Sequence, residues 1–131
     1  MKIIISILLL TLTIISNQVL AQRKIDEKTA ARILECLNKN FISCTKVGMF
    51  YRFKGDDDTH EDDLFKAVDF FKMACNGRES TGCYFLGVMY EQGEGVRLDS
   101  PYALQLYGKS CDLRDELGCR GYAALKRKGV K

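Results

Sequence analysis

Two stretches of the chain repeat one pattern of apolar and polar positions. Ala67-x-x-Phe70-Phe71-x-Met73-Ala74-Cys75 lies over Ala103-x-x-Leu106-Tyr107-x-Lys109-Ser110-Cys111. A second block recurs as Cys44-Thr-Lys-Val47-Gly48-Met-Phe50-Tyr51 and Cys83-Tyr-Phe-Leu86-Gly87-Val-Met89-Tyr90, with a weaker third copy from Cys119 to Lys126. Both blocks space their apolar residues at three and four, which marks one face of a helix. Each unit is therefore two helices, here called A, near whose start the second cysteine of a pair falls, and B, near whose end the first cysteine falls. The pattern predicts B at 26–38, A at 41–53, B at 63–76, A at 80–91, B at 99–112 and A at 116–127. Ser100-Pro101 fits a helix start, Ser as a cap and Pro in the first turn. Asn76-Gly77 and Gly93-Glu94-Gly95 read as turns because Gly tolerates positive φ. Gly48 and Gly87 recur in mid-helix, with Ala123 at the matching place, so a neighbouring helix must approach closely there. A single Pro and no alternating period leave little room for strands.

The first 21 residues follow a different rule. Lys2 is followed by an almost wholly apolar run, Ile3 to Ile15, then by Ser16-Asn17-Gln18 and Val19-Leu20-Ala21. That order matches a secretory signal peptide cleaved after Ala21. The apolar run is shorter than the roughly 20 residues a membrane span needs, and no cysteine stands near the site to accept a lipid. The expected organisation is a leader at 1–21 and a repeat domain at 22–131: a half repeat, two full repeats and a half repeat.

Six cysteines form three C-x7-C pairs: Cys36 and Cys44, Cys75 and Cys83, Cys111 and Cys119. Within each pair the two positions sit on antiparallel helices joined by a short turn, within the ~5.5 Å Cα approach a disulfide needs. Pairing within each C-x7-C is therefore the geometric expectation among the fifteen connectivities that six cysteines allow. Zinc sites favour gaps of two to four and redox pairs favour C-x-x-C. Each bridge closes a loop of nine residues, worth ~2.5 kcal/mol by chain entropy. That matters in an array of so few units, which buries little core.

Charge is nearly balanced, 20 basic against 17 acidic side chains, and removing the leader takes away Lys2 alone. Nothing in that balance points to nucleic acid. The run Asp56 to Asp63 holds six carboxylates and the only histidine, His60. Calcium is one use of such a cluster, but the EF-hand spacing and its Gly are missing. The run is expected to be a solvated, enlarged A–B turn, with contact to a basic partner as its functional use. No metal and no cofactor is expected.

The segment Leu86-Gly87-x-x-Tyr90-x-x-Gly93-x-Gly95-Val96-x-x-Asp99-x-x-x-Ala103 resembles the Sel-one-like repeat, a relative of the tetratricopeptide repeat. The C-x7-C in every unit makes the chain similar to the secreted, cysteine-rich bacterial branch of that family over about residues 30 to 128. The resemblance implies an all-α superhelix of αα hairpins, one disulfide per repeat, whose A helices line a concave groove that binds a protein, a peptide or a cell-wall fragment. One turn apart on the A helices, the candidate groove residues are Thr45, Met49 and Arg52; Tyr84, Val88 and Glu91; and Arg120, Ala124 and Arg127. The terminal helices lack clear polar caps, so self-association through the repeat ends is a further expectation.

The same resemblance implies a second reading, β-lactam binding and slow hydrolysis, since that branch often carries the label β-lactamase. Ser43-Cys44-Thr45-Lys46 fits the S-x-x-K of a serine acyl enzyme, but S-D-N and K-T-G elements are absent. Ser43 also aligns with Gly82 and Gly118, and Lys46 with Phe85 and Gly121, so the motif is no feature of the repeat. No catalytic constellation emerges. Exported protein should begin at Gln22 and carry no free thiol. Intact-mass analysis with and without alkylation checks both, and a retained leader or an alkylated cysteine would contradict the reading.

Overall fold

The computed structural model describes residues 2–22, 26–54 and 60–131. Among the described residues every element is a helix: α1 (Lys2–Gln22), α2 (Glu27–Leu37), α3 (Phe41–Phe53), α4 (His60–Asn76), α5 (Ser80–Gln92), α6 (Ser100–Asp112) and α7 (Glu116–Arg127). The chain divides into two compact units, Met1–Ala30 and Ala31–Lys131. In the first, the Ile3–Ile15 stretch of α1 is largely apolar, and Ile3, Leu8, Leu12 and Ile14 are exposed. No helix among the described residues is long and apolar enough to cross a membrane.

In the second unit B and A helices alternate, with α2, α4 and α6 as B and α3, α5 and α7 as A. Three B–A turns share one construction. Disulfides Cys36–Cys44, Cys75–Cys83 and Cys111–Cys119 hold the paired Cα atoms at 4.7, 4.4 and 4.4 Å. Three residues after each first cysteine stands a basic residue in the left-handed region: Lys39 (φ 67°), Arg78 (φ 63°) and Arg114 (φ 68°). Its N–H donates back to the carbonyl of that cysteine, at 2.9, 3.1 and 2.8 Å. The next N–H, from Asn40, Glu79 or Asp115, reaches the carbonyl five residues back, closing the end of the B helix in a Schellman-type pattern. Those same three side chains then cap the following A helix, accepting from Ser43 N–H, from Thr81 and Gly82 N–H, and from Gly118 N–H. One five-residue turn thus ends one helix and starts the next.

The crossing beneath each turn is too close for large side chains. A Cβ on Gly82 would collide with Ala74 Cβ, and one on Gly118 with the Ser110 hydroxyl. The first crossing differs: the Ser43 hydroxyl donates to Glu35 at the matching pair of positions. Farther along, Gly48 of α3 and Gly87 of α5 each receive an aromatic ring from the next B helix. A Cβ would lie 2.7 Å from the Phe71 ring at Gly48 and 2.8 Å from the Tyr107 ring at Gly87. Phe71 anchors the main core with Val47, Leu86 and Met89, while Tyr107 joins Val88, Ala103, Leu104 and Leu125 in a second cluster.

Three local expectations need correction. The left-handed residue of the second B–A turn is Arg78, not Gly77, whose small size instead admits the ring of Phe41. Asp99, not Ser100, caps α6, accepting from Tyr102 N–H at 2.9 Å, and Ser100 is the first helical residue. The acidic run is not wholly a turn, because α4 begins at His60 and takes Glu61, Asp62 and Asp63 into its first turn, where carboxylates suit the helix dipole. Asp63 is only 3% exposed. Burial opposes its ionisation, but the hydrogen bond and charge of Lys66, with the charge of Lys54, hold its carboxyl below the usual carboxylate range. Residues 55–59 lie outside the described residues.

Among the described residues α5 touches both α3 and α7, whereas α4 and α6 do not meet. The A row is therefore the shorter, inner side of the stack.

The crossing geometry predicts opposite effects for two alanine substitutions. Gly82→Ala gains at most ~1 kcal/mol of helix propensity but overpacks a site pinned by sulfur, and should lose about 1–2 kcal/mol net. At Gly108 a new Cβ meets only the Tyr122 ring at 3.4 Å, an ordinary contact. Gly108→Ala should therefore gain roughly 0.5–1 kcal/mol. Urea unfolding of the oxidised proteins checks both signs.

Candidate functional site

The A helices carry the inner face, and a cleft of about 520 Å³ opens on it between α5 and α7. Tyr84 and Glu91 come from α5 and Tyr107 from α6, while α7 supplies Leu117, Arg120, Gly121, Ala123, Ala124 and Arg127. The floor follows from the packing just described. One face of the Tyr107 ring lies on Gly87, and Gly121 of α7 approaches it as well, with a Cβ there falling 3.0 Å from the ring. Two glycines on neighbouring A helices thus let one buried aromatic side chain of a B helix lie directly beneath the inner face.

The Tyr107 hydroxyl donates to Glu91 Oε2 at 2.7 Å, and Lys128 Nζ donates to Glu91 Oε1 at 3.2 Å. Burial, then the hydrogen bond to Glu91 and its negative charge, push the phenol far above the usual tyrosine range. The ring of Tyr84 lies 5.6 Å from that of Tyr107, centroid to centroid. Arg120 and Arg127 are exposed, and among the described residues neither has a hydrogen-bond or ion-pair partner.

The nine inner-face positions expected from the sequence separate into three groups. Tyr84, Glu91, Arg120, Ala124 and Arg127 come together at the cleft. Met49 and Arg52 are half-buried elsewhere on α3. Met49 packs on the main core, and Arg52 bonds Glu94 Oε2 at 2.8 Å and Gln92 Oε1 at 3.1 Å with its guanidinium over Phe53 and Phe85. Thr45 and Val88 are interior, 5% and 8% exposed, and do not face a groove. The Thr45 hydroxyl donates to the capping carboxylate of Glu79, and Val88 packs in the second cluster.

Tyr107 is a core residue, 2% exposed, that also floors the cleft, a second role that the sequence reading did not reveal, and that reading passed over Leu117 and Gly121. A signal for Tyr107 was present: it carries a hydroxyl at the position where the preceding unit has Phe71. A core aromatic that gains a polar group usually has a polar partner to meet.

Ser43 is 3% exposed with its hydroxyl committed to Glu35, while Lys46 of the same motif is exposed. That arrangement does not present a nucleophile to a substrate. Among the described residues no group of three or more His, Cys, Asp or Glu could hold a metal ion.

The folded phenol of Tyr107 titrates above the unfolded value of about 10, so its contribution to stability is complete below that pH and is lost as pH rises above it. Tyr107→Phe should flatten the loss of stability between about pH 10 and 11.5, a window set by the same reference value. Brief urea melts across that range check it, and an unchanged slope would contradict the assignment.

Comparison with known proteins agrees with this architecture. The Sel1 repeat model matches residues 42–78 and 80–115. Cytochrome c oxidase assembly factor 7 of Xenopus tropicalis is 30% identical over 92 residues, 70% of this chain and 39% of that protein. Putative beta-lactamase HcpE of Helicobacter pylori is 53% identical over 34 residues, 26% of this chain and 10% of that protein. The chain thus spans about two-fifths of the first relative's length and a tenth of the second's. The solved structure of Helicobacter pylori cysteine rich protein B superposes with a TM-score of 0.63 at 24% identity, covering 77% of this chain and 75% of that one. With two matched repeats over more than half its length and the same helical solenoid, the chain belongs to the Sel1 repeat family.

Proposed function

We propose that this is an exported, disulfide-stapled repeat protein that binds a peptide, a protein segment or a cell-wall fragment in the α5–α7 cleft. Residues 1–21 serve as the leader, and residues 22–131 remain as a half repeat, two full repeats and a half repeat. Three disulfides suit an oxidising compartment outside the cytosol. The observation that carries the binding reading is the cleft itself. It is concave, walled by Tyr84 and Tyr107, and flanked by two arginines without internal partners. Exposed arginine beside aromatic surface is the composition of a binding hot spot, and the sulfur-pinned scaffold holds it with little ordering cost.

The names of the Hcp relatives favour a second reading, β-lactam binding or hydrolysis. The committed, interior hydroxyl of Ser43 gives that reading no nucleophile.

Capture from an envelope extract on immobilised, oxidised 22–131 tests the first reading. Partners held by the native chain should be lost with the Arg120→Ala/Arg127→Ala double variant, and equal retention by both would overturn the assignment to this cleft. Nitrocefin turnover by the native chain that disappears in Ser43→Ala would establish the second reading instead.

A further inference from the structure

Resting on the reading of the α5–α7 cleft as the binding site, we infer that its ligand is an extended acidic peptide with two carboxylates three residues apart. Three observations converge. First, Arg120 and Arg127 stand seven residues apart on α7, two turns along one helical face. At 1.5 Å rise per residue their Cα atoms are about 10 Å apart along the axis. Each guanidinium is exposed and without an internal partner among the described residues, and each can take a carboxylate in two parallel hydrogen bonds.

Second, the one acidic side chain of the cleft is already neutralised. Glu91 accepts from the Tyr107 hydroxyl on one oxygen and from Lys128 on the other. Of the side chains that line the cleft, the unpaired charges are therefore those of the two arginines, and its one carboxylate is already engaged.

Third, the space between the arginines suits an extended backbone. The α7 residues there include Gly121 and Ala124, too small to fill the cleft, and Tyr84 offers an aromatic wall. A polyproline-II segment advances about 3.1 Å per residue with three residues per turn, so carboxylates at positions i and i+3 share a face and span roughly 9 Å.

Fluorescence anisotropy with labelled, capped peptides tests this on the oxidised 22–131 chain. The probes are an Asp-Ala-Ala-Asp core, its Asn-Ala-Ala-Asn and Lys-Ala-Ala-Lys counterparts, and a reordered Asp-Asp-Ala-Ala core. Amide shift mapping runs in parallel. The expected result is that the spaced diacid binds about tenfold more tightly than each of the others. Its affinity should fall with added salt and be lost in Arg120→Gln and in Arg127→Gln, with shifts confined to α5 and α7. Equal binding of acid and amide, with the same shifts, would overturn the acidic preference and leave the cleft reading standing. Preference for the adjacent diacid would overturn the spacing. Acid-dependent shifts mapping elsewhere would overturn both the inference and the cleft reading. No cleft shift with any of the four probes would also overturn both.

Discussion

Two backbones approaching to 4.4 Å between Cα atoms at a disulfide govern the rest of this fold. At that distance the residue beside each second cysteine must be small, which is why Gly82 and Gly118 face Ala74 and Ser110. The turn above the crossing must reverse direction in few residues, so one of them goes left-handed. Here it is a Lys or Arg rather than Gly, at a conformational cost of about 1–2 kcal/mol for an L-residue. The covalent link and the reciprocal cap bonds offset that cost. In a stack of this length burial alone leaves little margin, so turn, cap and sulfur act as one joint.

From that joint the inner face takes its character. Fixed hairpins set the separation of successive A helices, and the Gly48 and Gly87 positions let a B-helix ring lie against an A-helix backbone. In the first interval the ring is Phe71, wholly buried in the main core. In the second it is Tyr107, whose hydroxyl reaches Glu91 and through it Lys128. One added oxygen connects the packing of the repeat to the polarity of the cleft. The interior is thus continuous with the inner face.

The hairpins and their sulfur links were legible because C-x7-C recurs with the helical period on either side of it, so two independent signals agree. The A-helix bounds followed for the same reason, with 41–53 and 116–127 matching the structure. The start of α4 was not legible: Glu61, Asp62 and Asp63 read as solvated loop, and only the lysines on either side make burial of Asp63 tolerable. Tyr84, Glu91, Arg120, Ala124 and Arg127 could be read from helical spacing alone. Thr45 and Val88 could not be separated from them, because what buries each belongs to another segment: Glu79 for one, Leu104 and Leu125 for the other. The caps Asn40, Glu79 and Asp115 recur in the sequence at the cysteine spacing, but a Glu is an uncommon cap and hid the series.

The final helix departs from its siblings at two places. Where α3 and α5 have Gly48 and Gly87 it has Ala123, and where they have Tyr51 and Tyr90 it has Lys126. The first methyl fills the dimple into which a further aromatic ring would drop, and the ammonium wets the rim where a further hairpin would seat. By its chemistry α7 therefore offers a following ring a poorer seat than α3 and α5 do. Placing a glycine at 123 and an aromatic at 126 would give that face the same dimple and apolar rim as its two siblings.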